Sequence, residues 1–376
     1  MSIETGQNTL SSAKRIVVKI GSALVAEDGR ARQDWLNTLA LDIAERRAAG
    51  QDVVLVSSGA IALGRNQLGT GRPKKLEEKQ AAAALGQPLL MDALTRAFSV
   101  PGIPVAQTLL TLDDTENRRR WLNARATLET LLKSGALPVI NENDSVATDE
   151  IRYGDNDRLA ARVAQMLGAD ALILLSDIDG LYTADPRMDS NAQHVPVVRE
   201  LNATHDAMAG ESNLAGDVGS GGMTTKILAA RIAHSAGCMT VITEGQRDHP
   251  LQTLVQGAKA TWILPALSPE KAREIWLRGH LTPEGAVFVD QGAAAALANG
   301  ASLLPVGATR IEGHFGRGAA VAIKDMNGTL IAKGVTAYSS DDATRILGLQ
   351  TDQIEQELGY RGRPALVHRN ELVLES

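Results

Sequence analysis

From residue 15 to about residue 257 the apolar positions come in short runs. These are Ile16-Val17-Val18-Lys19-Ile20, Val53-Val54-Leu55-Val56, Leu137-Pro138-Val139-Ile140, Ala171-Leu172-Ile173-Leu174-Leu175 and Thr240-Val241-Ile242, bounded by Gly, Asn, Asp or Ser. Such runs, rich in β-branched residues, predict short strands that are apolar on both faces. Between them apolar residues recur at helical spacing. Trp35, Leu36, Leu39 and Ile43 form one stripe; Trp121, Leu122, Arg125 and Leu128 form another, continuing to Leu131 and Leu132. Alternating strands and helices of this kind predict an α/β fold, a mainly parallel sheet covered by helices on both sides. Ligands of such sheets bind beyond the carboxyl ends of the strands.

Past residue 257 the pattern changes. Pro265, Ser268, Pro269 and Pro283 punctuate a stretch predicted to be a linker, 258–283, with one short helix from Pro269 to Arg278. Short alternating segments then follow at Ala286–Val289, Ala319–Ile323, Leu330–Ala332 and Ala365–Val367, with glycines between them. They predict a small, mostly β, barrel-like domain. The expected organisation is an α/β domain over 14–257, the linker, and the β domain over 284–376. The alanine runs 81–84 and 293–296 are expected to be helical.

Composition narrows the function classes. A chain of 376 residues suits about two domains. Its net charge of −6 gives no electrostatic case for nucleic acid or an anionic membrane as the main partner. The one cysteine, Cys238, allows neither an internal disulfide nor a cysteine zinc cluster, and is expected in the core. No apolar run approaches the roughly 18–20 residues that span a bilayer, and Met1 to Lys14 has no apolar signal core. A soluble, cytoplasmic enzyme is the expectation. The histidines show no metal-ligand spacing, and His194 and His205 are expected at the surface.

Five motifs carry possible chemistry, each directly after a predicted strand or at the start of a helix. Lys19 sits inside an apolar run before Gly21-Ser22, which is costly unless its ammonium leaves the strand end and meets an anion; the plain alternative is a side chain reaching solvent. Ser57-Ser58-Gly59 opens a helix and offers backbone N–H groups to an anion, although ordinary capping uses the same residues. Asn141-Glu142-Asn143-Asp144, with Gly154-Asp155-Asn156-Asp157, can bind an ammonium group or hold cations. Asp157 could instead cap the helix that begins at Arg158. Ser176-Asp177-Ile178-Asp179-Gly180-Leu181-Tyr182 could shape a nucleotide pocket. Gly219-Ser220-Gly221-Gly222-Met223-Thr224-Thr225-Lys226 frees the backbone to wrap phosphate, then starts a helix from Thr224 to Ala236. It is not the pattern Gly-x-x-x-x-Gly-Lys-Ser/Thr.

In this order the motifs resemble the amino-acid kinase family, and the match runs over nearly the whole chain from Lys14. Its most specific stretches are Pro138–Asp144, Gly154–Asp157, Gly180–Arg187 and Gly221–Lys226. Their details are similar to the branch that phosphorylates the side-chain carboxylate of L-glutamate at the start of proline synthesis. The resemblance implies ATP and Mg²⁺, with no metal ligands identified, proline as a feedback inhibitor, and a homo-oligomer. It places Lys19 on the ATP phosphates and Ser58, Asp144 and Asn156 on glutamate. Ser176, Asp177 and the segment Ser220, Gly221, Gly222, Met223, Thr224, Thr225, Lys226 would touch the nucleotide. Catalysis would fall to Lys19 and Lys226, on opposite sides of the transferring phosphoryl, with Asp157 holding them or Mg²⁺. Ser22, Ser176 and Ser220 stand where threonine is common, and each keeps the hydroxyl.

The C-terminal part resembles a PUA domain, through Asp290, Gly292-Ala293, Gly300–Pro305 and Arg317-Gly318. That module often binds RNA. Here residues 276–376 hold nine Lys/Arg against eleven Asp/Glu, which favours a structural or assembly role over nucleic-acid binding. Two alternatives remain: a family member acting on aspartate, acetylglutamate or carbamate, and an RNA-binding protein working through the C-terminal domain.

Overall fold

In strand β1 (Arg15–Ile20) the side chains alternate between two cores. Ile16, Val18 and Ile20 enter one and Val17 the other. The same division runs through β2 (Asp52–Ser57), where Val53 and Leu55 oppose Val54 and Val56. A period of two with both faces apolar makes a sheet that must be covered twice. The computed structural model, which describes residues 3–69, 73–147, 155–210, 222–360 and 362–375, has that architecture. Its two compact units are Met1–Pro269 and Glu270–Ser376.

The first unit adds β3 (Val105–Leu110), β4 (Leu137–Glu142), β5 (Ala171–Ser176), β6 (Val197–Val198), β7 (Met239–Glu244) and β8 (Ala260–Ile263). The sheet order is β6-β8-β7-β5-β1-β2-β4-β3. The six strands from β7 to β3 run parallel, while β8 is antiparallel to β7 and parallel to β6. Helices α1 (Gln33–Ala48) and α2 (Leu76–Ser99) supply Leu36, Leu39, Leu90 and Leu94 to the first core. On the other face α3 (Arg118–Lys133), α4 (Asp155–Leu167) and α5 (Met223–Ser235) supply Leu128, Leu159 and Ile227. Cys238 lies in this second core, where burial pushes its thiol pKa up and leaves it inert as a nucleophile.

Residues 258–283 are not a linker. Ala260–Ile263 is a sheet strand hydrogen-bonded on both sides, and Pro269–His280 forms helix α6. Of the prolines that punctuate the sequence, Pro265 lies in the connection between these elements, Pro269 starts α6 and Pro283 follows it. At four residues, Ala260-Thr261-Trp262-Ile263 is too brief for its pattern to separate a strand from a connection.

The second unit is a mixed five-stranded sheet of β9 (Gly285–Val289), β10 (Ala308–Glu312), β11 (Ala320–Lys324), β12 (Leu330–Thr336) and β13 (Val367–Leu374). Its order is β10-β9-β11-β12-β13, with only the β9–β11 pair parallel. Helix α7 (Gln291–Ala298), capped by Asp290 on the Ala293 amide at 2.7 Å, contains the alanine run 293–296. Among the described residues no helix is long and apolar enough to cross a membrane.

Candidate active site

Because β1, β2, β4, β5 and β7 run parallel, their carboxyl ends share one edge, and the polar motifs follow those ends. Lys19 is the penultimate residue of β1, on the α4–α5 side, paired in register with Val56 and Leu174. It does not reach solvent. Its side chain is 6% exposed, and its Nζ lies 2.7 Å from Asp157 Oδ1. Asp157 is the third residue of α4 and fully buried, so it serves an ion cluster rather than a helix cap. Lys226, on the first turn of α5, brings its Nζ to 3.5 Å from Asp157 Oδ2. Thr225 donates its hydroxyl to the same Oδ2 at 2.9 Å. Two helices and one strand thus converge on one carboxylate, joining residues 69 positions apart in sequence.

The electrostatics follow from burial. Removal from water would raise the Asp157 pKa, but the Lys19 and Lys226 ammonium groups and the two hydrogen bonds outweigh it and hold the carboxyl below its ordinary value. For Lys226 burial wins: desolvation, with Lys19 nearby, pulls its pKa below the ordinary range despite Asp157. Among the described residues two buried ammonium groups share the one buried Asp157 carboxylate, and the Asp177 charge acts on Lys226 as well. Buried charges of this kind are costly unless they are paired or meet a ligand of opposite charge.

A second cluster lies beside it. Asn156, next to Asp157 on α4, donates its Nδ2 to Ser58 Oγ at 2.9 Å and to Asn141 Oδ1 at 3.1 Å. Asn141 Nδ2 in turn donates to Gln87 Oε1 at 2.8 Å. The Asn156 Oδ1 is buried without a hydrogen-bond partner among the described residues. A buried polar atom left open in this way invites a donor from a ligand. Ser58 is placed by two glycine contacts. Gly59, at φ +110°, makes the left-handed turn that starts the short helix Ala60–Gly64. Gly64 and Gly86 then let that helix meet α2 backbone to backbone, since a Cβ on either would collide with main-chain atoms of the other helix. Asp144 lies half-buried in the turn after β4.

At the end of β5, Ser176 donates its hydroxyl to Asp177 Oδ1 at 3.0 Å, and its carbonyl accepts the Gly245 amide at 2.8 Å. Helix α5 begins at Met223 after Gly222, and among the described residues no side chain caps its first amides. Ser220 and Gly221 lie outside the described residues.

The structure therefore brings Lys19, Lys226 and Asp157 together, and Ser58 and Asn156 beside them. Asn141 was named in the sequence only as part of its motif, and Gln87 was missed. Gln87 follows Gly86 within a helix and carries no local signal of its place. His194, expected at the surface, packs edge-on against Tyr182 with Nε2 out of solvent.

A site at the strand ends with two buried lysines on one carboxylate, beside the start of a helix, has the charge and amides that suit a polyanion such as a nucleotide. A profile of the amino acid kinase family matches residues 14–244, and one of the PUA domain matches residues 285–358. The chain belongs to the amino acid kinase family and carries a C-terminal PUA domain. A glutamate 5-kinase of Paramagnetospirillum magneticum is 57% identical over 368 residues, covering 97% of this chain and 99% of that protein. A glutamate 5-kinase of Caulobacter vibrioides is 57% identical over 371 residues, 98% of each chain. One from Rhodospirillum rubrum is 56% identical over 364 residues, 96% of each.

Proposed function

We propose that this chain is a cytoplasmic glutamate 5-kinase, which transfers the γ-phosphoryl of ATP to the side-chain carboxylate of L-glutamate in the first step of proline biosynthesis. The observation that carries the proposal is the pair of buried ammonium groups held by Asp157.

The reaction brings a carboxylate, itself ionised near pH 7, up to a triphosphate. No base is needed to create the nucleophile, and the barrier is largely repulsion and misalignment of negative charge. In the transfer, a carboxylate oxygen bonds to the γ-phosphorus while the bond to the β-bridging oxygen breaks, and ADP leaves. Lys19 and Lys226 flank the migrating group. Asp157 fixes both ammonium groups before the substrates arrive, so little reorganisation remains in the transition state. The amides at the start of α5 and the Ser176–Asp177 turn meet the nucleotide. Ser58, Asn156 and Asp144 hold glutamate, Asp144 pairing with its α-ammonium. Proline, which shares the α-amino and α-carboxyl groups, competes there, and the protein assembles as a homo-oligomer.

Among the described residues no three His, Cys, Asp or Glu side chains lie close enough to hold a metal. Both Asp157 oxygens face lysines. With both oxygens engaged in this way, an Mg²⁺ would be held mainly by the oxygens of the nucleotide rather than by Asp157. Bound there, it would neutralise charge on the phosphates.

Lys19→Ala and Lys226→Ala should each lower kcat by roughly 10²-fold or more while changing either KM less. Steady-state kinetics decides this: a near-normal kcat in either variant removes that lysine from the transfer step.

A further inference from the structure

Strand β8 lies beyond residue 244, where the family profile ends, yet it reaches back to the nucleotide edge of the sheet. Thr261 is fully buried. Its hydroxyl accepts the Leu181 amide at 2.7 Å and donates to the Val195 carbonyl at 2.7 Å. One side chain thereby ties both strands of the small hairpin Leu181–Tyr182/His194–Val195. Just before the strand, Lys259 donates to the Tyr182 hydroxyl at 2.6 Å and lies 3.4 Å from Asp179. The Tyr182 hydroxyl passes a proton-donating bond to Asp179 at 2.9 Å, and the ammonium sits 4.9 Å from the centre of the Tyr182 ring. Gly180, at φ +147°, fills the remaining space: a Cβ there would stand 2.5 Å from His194 Nε2 and 2.6 Å from Thr261 Oγ1.

The segment from Ser176 to Tyr182 is therefore held at both ends, by the Gly245 amide on Ser176 and by Thr261 on Leu181 and Lys259 on Tyr182 and Asp179. We infer that Lys259 and Thr261 are positioning residues for nucleotide binding, holding the loop 177–182 in its binding shape from outside the family-matched region. The inference rests on the reading that the nucleotide lies against Ser176 and Asp177. A loop already ordered loses less entropy when the nucleotide binds, so the effect belongs in nucleotide affinity rather than in the transfer step. Lys259 is half exposed, and its value lies in joining two partners on the loop rather than in a strong ion pair.

The test compares KM for ATP and for glutamate in Lys259→Met, Lys259→Arg and Thr261→Val, with Asp177→Asn as the control for the nucleotide reading. Lys259→Met should raise the ATP KM roughly three- to tenfold, the range set by one or two lost hydrogen bonds. The glutamate KM and kcat should stay within about twofold, and Lys259→Arg should recover most of the ATP affinity. Thr261→Val should act in the same direction; if it fails to fold, the Lys259 pair still decides. His194 supplies a readout independent of turnover, since burial and the Lys259 charge hold its pKa below the ordinary 6.5. By NMR its titration should move to higher pH in Lys259→Met. If Asp177→Asn raises the ATP KM while Lys259→Met does not, the inference fails and the nucleotide reading stands. If Asp177→Asn leaves the ATP KM unchanged, the nucleotide reading fails and takes the inference with it. Equal changes in both KM values would reduce Lys259 to general stability, and an unmoved His194 would contradict the contact itself.

Discussion

Asp157 shows how much one side chain can organise. It is fully buried, meets a lysine from β1 and a lysine and a threonine from α5, and stays ionised because they compensate its desolvation. Its carboxyl pKa is depressed in the folded state, so it contributes stability above its ordinary value of 3.8, and loses it as the pH falls through the depressed value. Asp157→Asn removes the charge and leaves two ammonium groups buried without it. At pH 7 the variant should be less stable by about 3–5 kcal/mol, the usual cost of breaking a buried pair. The gap should close in acid, where the parent's own carboxyl is neutral. Urea unfolding across pH measures both, and a gap that is constant down to pH 2–3 would show that the charge is not what Asp157 contributes. The pairing was partly legible beforehand: a lysine in the apolar run Val17–Ile20 demands an anion. That the anion is Asp157 rather than an acid in the neighbouring loop follows only from where α4 crosses the sheet.

The elements were more legible than their edges. Five strands with apolar residues on both faces, and the stripes of α1 and α3, declare a sheet covered twice. Strand β3 was hidden because Val105-Ala106-Gln107-Thr108 is half-buried at the sheet edge and mixes polar with apolar positions. The glycine crossing of the Ala60–Gly64 helix on α2 was hidden too, since Gly64 and Gly86 are unremarkable until the helices meet. That crossing fixes the direction in which Ser58 leaves β2, so element packing and substrate geometry are coupled. Gly86→Ala should push the helices apart and destabilise the protein by about 1–3 kcal/mol, as overpacking does. It should also raise the glutamate KM more than the ATP KM, because Ser58 and Asn156 share the displaced side. A variant with unchanged stability and unchanged glutamate KM would show that the close contact does not position the site.

At the scale of the whole molecule, every residue assigned to phosphoryl transfer lies between Lys19 and Lys226, inside the first compact unit. That unit ends at Pro269, beyond β8, and not at the composition change near residue 257. The two possible cuts should therefore behave differently. A chain ending at Pro269 keeps the full eight-stranded sheet and should form acyl phosphate once shown by circular dichroism to be folded. A chain ending at Gly257 loses β8, with the buried Thr261, Trp262 and Ile263, and should fail to fold or bind ATP poorly. If the folded chain ending at Pro269 binds both substrates without transferring phosphate, the second unit contributes to catalysis.

The central claim is that two lysines on one aspartate serve phosphoryl transfer to the side-chain carboxylate of glutamate. Hydroxylamine capture tests it most directly, because it traps an acyl phosphate as a hydroxamate whose position mass spectrometry can assign. Free amino acids and analogues would be compared with ATP present: glutamate, aspartate, N-acetylglutamate and carbamate. The expected result is ATP-dependent γ-glutamyl hydroxamate with glutamate alone, suppressed by proline and lost in Lys19→Ala and Lys226→Ala. Hydroxamate formed preferentially from aspartate or N-acetylglutamate, or γ-glutamyl hydroxamate formed undiminished by both lysine variants, would contradict it.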